Sequence, residues 1–234
     1  MKLYVMRHGE TDWNKQALLQ GNTDIPLNEN GRKLADLSGR NMTRIPFDVC
    51  FSSPLSRASE TAGLILQYNP GYRERFEALG YAPSIISHGC PVITDERIVE
   101  IRLGPWEGHP GFGPACRLPG GSFSFYWEDF SGEQLPEGVE APAKAAERAG
   151  AFLRDLASRP ELKDKTVLVT VHGGLMKCLL LSLNDKDAAD GKIPFNCEAV
   201  KLKTDADGSL RVVGRELFYD PDLAMDYYHA ADKY

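Results

Sequence analysis

Apolar residues in this chain come in short blocks, separated by polar stretches with helical spacing. Leu3, Tyr4, Val5 and Met6 form an uninterrupted apolar run that stops abruptly at Arg7, His8 and Gly9. Such a run, bounded by a sharp polar break, predicts a buried strand. FDVCFSS (47–53), PVITD (91–95) and KTVLVTV (165–171) predict three more strands. Between them, LNENGRKLADLSGRNM (27–42) puts Leu34 and Leu37 on one helical face behind Asn28, a suitable N-cap. Ser53-Pro54 offers a cap and first-turn proline for a helix reaching about Gln67. APAKAAERAGAFLRDLAS (141–158) predicts a long helix and GGLMKCLLLSL (173–183) a buried one, while NCEAVKLKTD and LRVVGREL predict a late hairpin. Strands alternating with helices point to an α/β layered domain. The whole span 1–234 reads as a single domain.

Two stretches break the alternation. Residues 68–90 carry Gly and Pro around a short helical piece, RERFEALGY. Residues 104–140 are rich in Gly, Pro and aromatics, and long segments of that kind form functional loops or caps. We expect 104–140 to be a loop-rich cap insertion. Phe112, Phe123, Phe125, Tyr126, Trp127 and Phe130 are candidates to line an apolar pocket or to pack a small core of their own. Arg102 and Arg117 are candidates for a second anion contact.

Composition narrows the class. An apolar fraction of 42% and a charged fraction of 26% suit a soluble globular protein. No apolar run approaches the roughly 20 residues that span a bilayer, and no basic region precedes an apolar export segment. The five cysteines (50, 90, 116, 178 and 197) lack metal or redox spacing. The expectation is a cytoplasmic protein with neither membrane nor nucleic acid as partner, since a net charge of −6 is the wrong sign for the latter. An anionic small molecule remains compatible, because a pocket can be positive inside an acidic protein. The sequence leaves the oligomeric state open.

The basic residues have a pattern. Arg7 and His8 end the first strand, Arg57 stands in the first turn after the second, and His172-Gly173-Gly174 ends the strand at 165–171. In open α/β sheets, ligands bind outside the C-terminal ends of the strands. Two arginines and two histidines gathered there would grip an anion, and a guanidinium fork suits a phosphoryl group. VITDERIVEI adds carboxyls at Asp95, Glu96 and Glu100. Such a cage with an acid at its edge suits cleavage of phosphate esters. A neutral imidazole attacks phosphorus, provided its other nitrogen is held by an acceptor, for which the His8-Gly9 turn offers a carbonyl. A carboxyl protonates the leaving oxygen, and the guanidinium groups neutralise the developing charge. That chemistry requires no metal and no cofactor. From the residues alone, the acid is open among Asp95, Glu96 and Glu100, and Glu107 is a loop support. Asn14 reads equally as a turn residue and Gln20 as a solvent-facing amide, while His88, His109 and His229 have no partner pattern.

RHGETDWN resembles the signature of the histidine phosphatase superfamily, which includes the cofactor-dependent phosphoglycerate mutases. The resemblance continues, in the family's order, through LQGNTDIPLNENG (19–31), SSPLSRASETA (52–62), ERIVEIRLGPWEG (96–108) and VTVHGG (169–174). It implies a three-layer α/β/α sandwich with a largely parallel sheet. It also implies His8 as the phosphorylated nucleophile, with Arg7, Arg57, His172 and Gly173 in the phosphate pocket. Glu100 matches the family's proton donor in the spacing E-x-x-x-G-x-W-E-G, and Asn14 and Gln20 match positions that contact phosphate or substrate. Gln20 stands where the mutases usually carry threonine, which favours the phosphatase branch. The implied activity is a metal-independent phosphomonoesterase acting on a small phosphorylated metabolite. The alternatives are a phosphoglycerate mutase and an inactive phospho-ligand-binding module.

Overall fold

The computed structural model describes residues 1–111, 118, 131–132, 135–189, 193–205 and 208–223. Among the described residues there are seven strands: β1 (Lys2–Arg7), β2 (Val49–Ser52), β3 (Ile85–Ser87), β4 (Cys90–Thr94), β5 (Thr166–Val171), β6 (Glu198–Thr204) and β7 (Leu210–Leu217). They form one sheet in the order β3-β4-β2-β5-β1-β6-β7. The four central strands are parallel, with Arg7 level with Val171 across β1 and β5, and Ser52 level with Thr170 across β2 and β5. Antiparallel pairs close both edges. One is the expected late hairpin. The other, β3–β4, turns on His88 and Gly89, both at positive φ (46° and 75°), as a two-residue hairpin turn requires.

The principal helices connect these strands: α1 (Asp12–Lys15), α2 (Glu29–Asn41), α3 (Ser56–Leu66), α4 (Tyr72–Ala78), α5 (Pro142–Ser158), α6 (Gly173–Ser182) and α7 (Lys186–Ala189). Alternation along the strands sends Val5, Val169 and Val171 to one face, where they meet Phe152 and Leu153 of α5 and Leu175, Met176 and Leu179 of α6. Helices α2 and α3 pack together against the opposite face, completing the three layers. β2 and β5 are buried on both sides along their full length, which explains their unbroken apolar runs.

Asn28 caps α2 as the sequence predicts, its Oδ1 accepting from Gly31 N at 2.8 Å. The start of α3 departs from expectation. The helix begins at Ser56 rather than at Ser53-Pro54, and its first amide is capped from a distant loop: Ser56 N and Oγ donate to Asp24 Oδ1 at 2.9 and 2.8 Å. Ser53 is turned to another partner, described below. Among the described residues, no helix is long and apolar enough to cross a membrane.

Phe152 joins the helical layer to the sheet. It is fully buried and meets Phe51 of β2 edge-on, ring centroids 5.7 Å apart. Phe152→Ala should cost about 3–5 kcal/mol, the usual range for an aromatic deleted from a core. Urea denaturation checks it: a midpoint within error of the parent would show that this layer does not carry the fold.

Candidate active site

The site begins where two parallel strands end. The β1–β5 ladder runs one bond past Arg7, with His8 N donating to Val171 O at 2.9 Å. The chain then leaves the sheet: Gly9 N donates to Thr61 Oγ1 of α3 at 3.0 Å, and that hydroxyl donates to Arg57 O at 2.7 Å. This loop lies directly on α2. A β-carbon on Gly9 would fall 2.6 Å from Gly31 O, and one on Gly31 would fall 2.1 Å from Glu10 O, so neither position has room for a side chain.

His8 is buried, and its Nδ1 lies 2.6 Å from Gly9 O. A carbonyl can only accept, so Nδ1 carries the hydrogen and Nε2 of the neutral ring presents its lone pair. Burial holds the imidazole well below its ordinary pKa, and the Arg57 and Arg7 charges push it the same way. The His172 ring stands 5.1 Å away, tilted by 59°. Its Nε2 lies 2.7 Å from Ser53 Oγ, which also accepts from Leu55 N at 3.3 Å just ahead of α3. Burial, followed by Arg57 and His8, also keeps His172 neutral. Its Nδ1 is buried with no hydrogen-bond partner among the described residues. A buried polar atom left in that state marks a place that a polar ligand could satisfy.

The two arginines are held by backbone carbonyls. Arg57 is fully buried, with Nη1 donating to Thr23 O and Nη2 to Gly21 O, both at 2.9 Å. Burial brings its pKa down to about 10, still far above neutrality, so the guanidinium stays charged. Glu107 secures the loop that supplies those carbonyls: its carboxylate accepts from Asn22 N and Thr23 N on one side, and from Leu103 N and Gly104 N on the other. Arg7 Nη1 donates to Pro194 O at 2.8 Å.

Arg7 and Glu100 both lie against the first turn of α6. A β-carbon on Gly173 would sit 3.0 Å from Arg7 Nε, and one on Gly174 would sit 3.0 Å from Glu100 Oε1. Side chains there would displace a base or an acid. The Glu100 carboxylate accepts from Ile101 N and Leu175 N at 2.8 Å and from Gly174 N at 3.1 Å. The other two carboxyls are elsewhere. Asp95 Oδ2 is 2.6 Å from Arg97 Nη2, and Glu96 is exposed.

Arg7, His8, Arg57, His172, Gly173 and Glu100 are thus neighbours. Asn14 and Gln20 both bond Thr11, just beyond the His8–Gly9 turn: Asn14 Oδ1 accepts from Thr11 N at 3.1 Å, and Gln20 Oε1 accepts from Thr11 Oγ1 at 3.0 Å. Gln20 is buried rather than solvent-facing. Asn14 completes a capping box on α1. Asn196, which no local pattern singles out, donates from Nδ2 to His8 O at 2.9 Å across 188 positions of sequence. Arg102 is exposed, with Nε donating to Gly138 O at 3.1 Å. Phe112, Arg117, Phe123, Phe125, Tyr126, Trp127, Phe130 and His229 lie outside the described residues.

Comparison with known proteins agrees with this architecture. The family model for the histidine phosphatase superfamily (branch 1) matches residues 3–79 and 81–214. The chain is 30% identical over 215 residues to 2,3-bisphosphoglycerate-dependent phosphoglycerate mutase 2 of Gloeobacter violaceus, covering 90% of this chain and 89% of that one. It is 27% identical over 187 residues to the glucosyl-3-phosphoglycerate phosphatase of Mycolicibacterium vanbaalenii, covering 78% and 73% respectively. Among solved structures, a phosphoserine phosphatase from Entamoeba histolytica in complex with 3-phosphoglyceric acid superposes with a TM-score of 0.64. That pair is 25% identical, over 92% of this chain and 96% of that one.

Two buried neutral imidazoles make stability depend on pH. In the unfolded chain each takes up a proton below about pH 6.5, whereas folded His8 and His172 resist protonation until lower pH. The unfolded state therefore binds more protons as pH falls, and stability drops below about pH 6.5 by up to about 1.4 kcal/mol per pH unit for each ring. Urea midpoints measured between pH 7.5 and 5.5 should fall, and the slope should flatten in His8→Asn/His172→Asn. An unchanged slope in that variant would mean that other groups produce the effect.

Proposed function

The chain belongs to the histidine phosphatase superfamily, and from that membership we propose that it is a metal-independent phosphomonoesterase working through a phosphohistidine at His8. The observation that carries this reading is the bond between His8 Nδ1 and Gly9 O at 2.6 Å. It fixes the tautomer in which Nε2 is the nucleophile, and burial between two cations keeps that nitrogen unprotonated. Arg7 and Arg57 bind the phosphoryl oxygens and stabilise the charge that spreads over them in the transition state. His172 completes the cage through Nδ1, which has no hydrogen-bond partner among the described residues.

The reaction runs in two displacements. His8 Nε2 forms a bond to phosphorus as the ester P–O bond breaks, and Glu100 gives its proton to the departing oxygen. Glu100, now a carboxylate, then takes a proton from water as the water oxygen attacks phosphorus. The P–N bond breaks, inorganic phosphate leaves and the imidazole is restored.

Hydrolysis is favoured over phosphoryl shuttling by the phosphatase-like LQGNTD segment, with Gln20 in place of the mutases' usual threonine. The natural substrate on this reading is a small phosphorylated metabolite. A mutase is the second reading, and the Gloeobacter relative, at 30% identity over nearly the whole chain, is the observation in its favour. Both use the same phosphohistidine and differ in whether water or a second substrate hydroxyl receives the phosphoryl group.

Phosphate release from p-nitrophenyl phosphate in excess EDTA tests the proposal. Turnover should survive EDTA and vanish in His8→Ala, and retained activity in that variant would remove His8 as nucleophile. Net interconversion of 2- and 3-phosphoglycerate, strictly dependent on 2,3-bisphosphoglycerate and faster than phosphate release, would favour the mutase. Arg57→Ala should slow turnover roughly a hundredfold, about 3 kcal/mol of transition-state stabilisation. An unchanged rate would take Arg57 out of the phosphate pocket.

A further inference from the structure

The segment that carries Glu100 has no regular secondary structure of its own. It runs between the 3₁₀ turns Glu96–Ile98 and Gly104–Trp106, outside any strand or helix. Its carbonyls therefore need partners from elsewhere. One side chain supplies them. Arg148, on α5, donates from Nη1 to Arg97 O at 2.9 Å and to Val99 O at 2.7 Å, and from Nη2 to Glu100 O at 3.1 Å. The same guanidinium is neutralised by Glu140, with Nε to Oε1 at 2.7 Å and Nη2 to Oε2 at 2.9 Å. Glu140 extends the clamp by one residue: its Oε2 accepts from Arg102 N at 3.1 Å, and its own N donates to Arg102 O at 2.8 Å. Residues 97–102 are thus held by five hydrogen bonds at four residues from Arg148 and Glu140, an ion pair with both partners largely buried, at 20% and 14% exposure.

We infer that Arg148 is a positioning residue for the acid of this reaction, setting where Glu100 delivers its proton. The inference rests on the assignment of Glu100 as proton donor. Glu100 is pinned at both ends: its carbonyl is held by Arg148, and its carboxylate by Ile101 N, Gly174 N and Leu175 N. The α6 amides define where the carboxylate is received, and Arg148 defines the backbone from which it reaches. Only a planar guanidinium spans three carbonyls and a carboxylate at once. A lysine keeps the charge and the stem but offers one compact head. With the clamp loosened, the carboxyl no longer meets the departing oxygen in line, whereas the His8–Arg7–Arg57 cage, built on other elements, stays intact.

A merely structural role would slow all substrates alike, whereas a role through the acid depends on the leaving group. p-Nitrophenolate departs with little help and an alkoxide needs its proton. Kinetics on p-nitrophenyl phosphate and on glycerol phosphate, with parent, Glu100→Gln, Arg148→Lys and the combined variant, separate the two. Arg148→Lys should lower kcat on the alkyl ester about tenfold or more, and on the aryl ester within about threefold, as Glu100→Gln does more severely. The combined variant should lose nothing beyond Glu100→Gln on the alkyl ester, because both changes remove one function. Arg148→Met/Glu140→Gln, which leaves no unpaired buried charge, should show the same selectivity and guards against an unfolded single variant. Equal losses on both esters, or additive losses in the combined variant, would overturn the role of Arg148. Indifference of Glu100→Gln itself to the leaving group would overturn the proton-donor assignment and this inference with it.

Discussion

The parallel register between β1 and β5 is the constraint on which the site depends. With Arg7 level with Val171, the residue after each strand emerges at the same edge, and the last ladder bond, from His8 N to Val171 O, fixes the first of the two histidines. A slip of one residue would turn Arg7 and His8 to opposite faces of the sheet. Both strands are central and buried, so such a slip would also invert the apolar faces that α5, α6 and the α2–α3 layer cover. The energy that sets the register is hydrophobic. The chemistry is positioned as a consequence.

Gathering cations in a buried place is unfavourable unless each is compensated. Arg57 is compensated by the backbone carbonyls of Gly21 and Thr23, with no direct ion pair among the described residues, and Arg7 also donates to a carbonyl, Pro194 O. A carboxylate on the guanidinium would satisfy it fully and compete with an incoming phosphoryl group. A carbonyl orients it and leaves its charge. The acid Glu107 is placed one step back, holding the loop that supplies the carbonyls. The two imidazoles remain neutral because the cations and the burial act in the same direction on both.

Backbone packing without side chains gives the site its compactness. Gly9 against Gly31 lets the first loop rest on α2, and Gly173 and Gly174 let Arg7 and Glu100 approach the first turn of α6. Loops held this way, with Asn196 fastening His8 O and Arg148 fastening the Glu100 segment, act as extensions of the rigid layers. Preorganised donors of this kind need no rearrangement when charge develops on the substrate.

The sequence alone determined the strands other than β3, which lies in the irregular-looking stretch 68–90, the long helices and the presence of Arg7, His8, Arg57 and His172 at strand ends, because apolar period and abrupt polar breaks are local signals. It also anticipated the Gly9 carbonyl behind His8, since the two residues are adjacent. Where tertiary partners compete for a side chain, local rules failed. Ser53 looks like a helix cap and instead meets His172, while Asp24 caps α3 from another loop. Gln20, which reads equally as a site residue and as a solvent-facing amide, is buried against Thr11. Among Asp95, Glu96 and Glu100, three similar carboxyls within six residues, residue type alone does not choose; the resemblance selects Glu100, and packing separates them: one is tied to Arg97, one is exposed, and one lies on the α6 amides. Asn196 and Arg148 carried no local signal, because their partners are 188 and 48–51 positions away. Which residues could grip phosphate was written in short-range pattern; which groups hold them in place was decided by long-range hydrogen bonds that form only once the layers have closed.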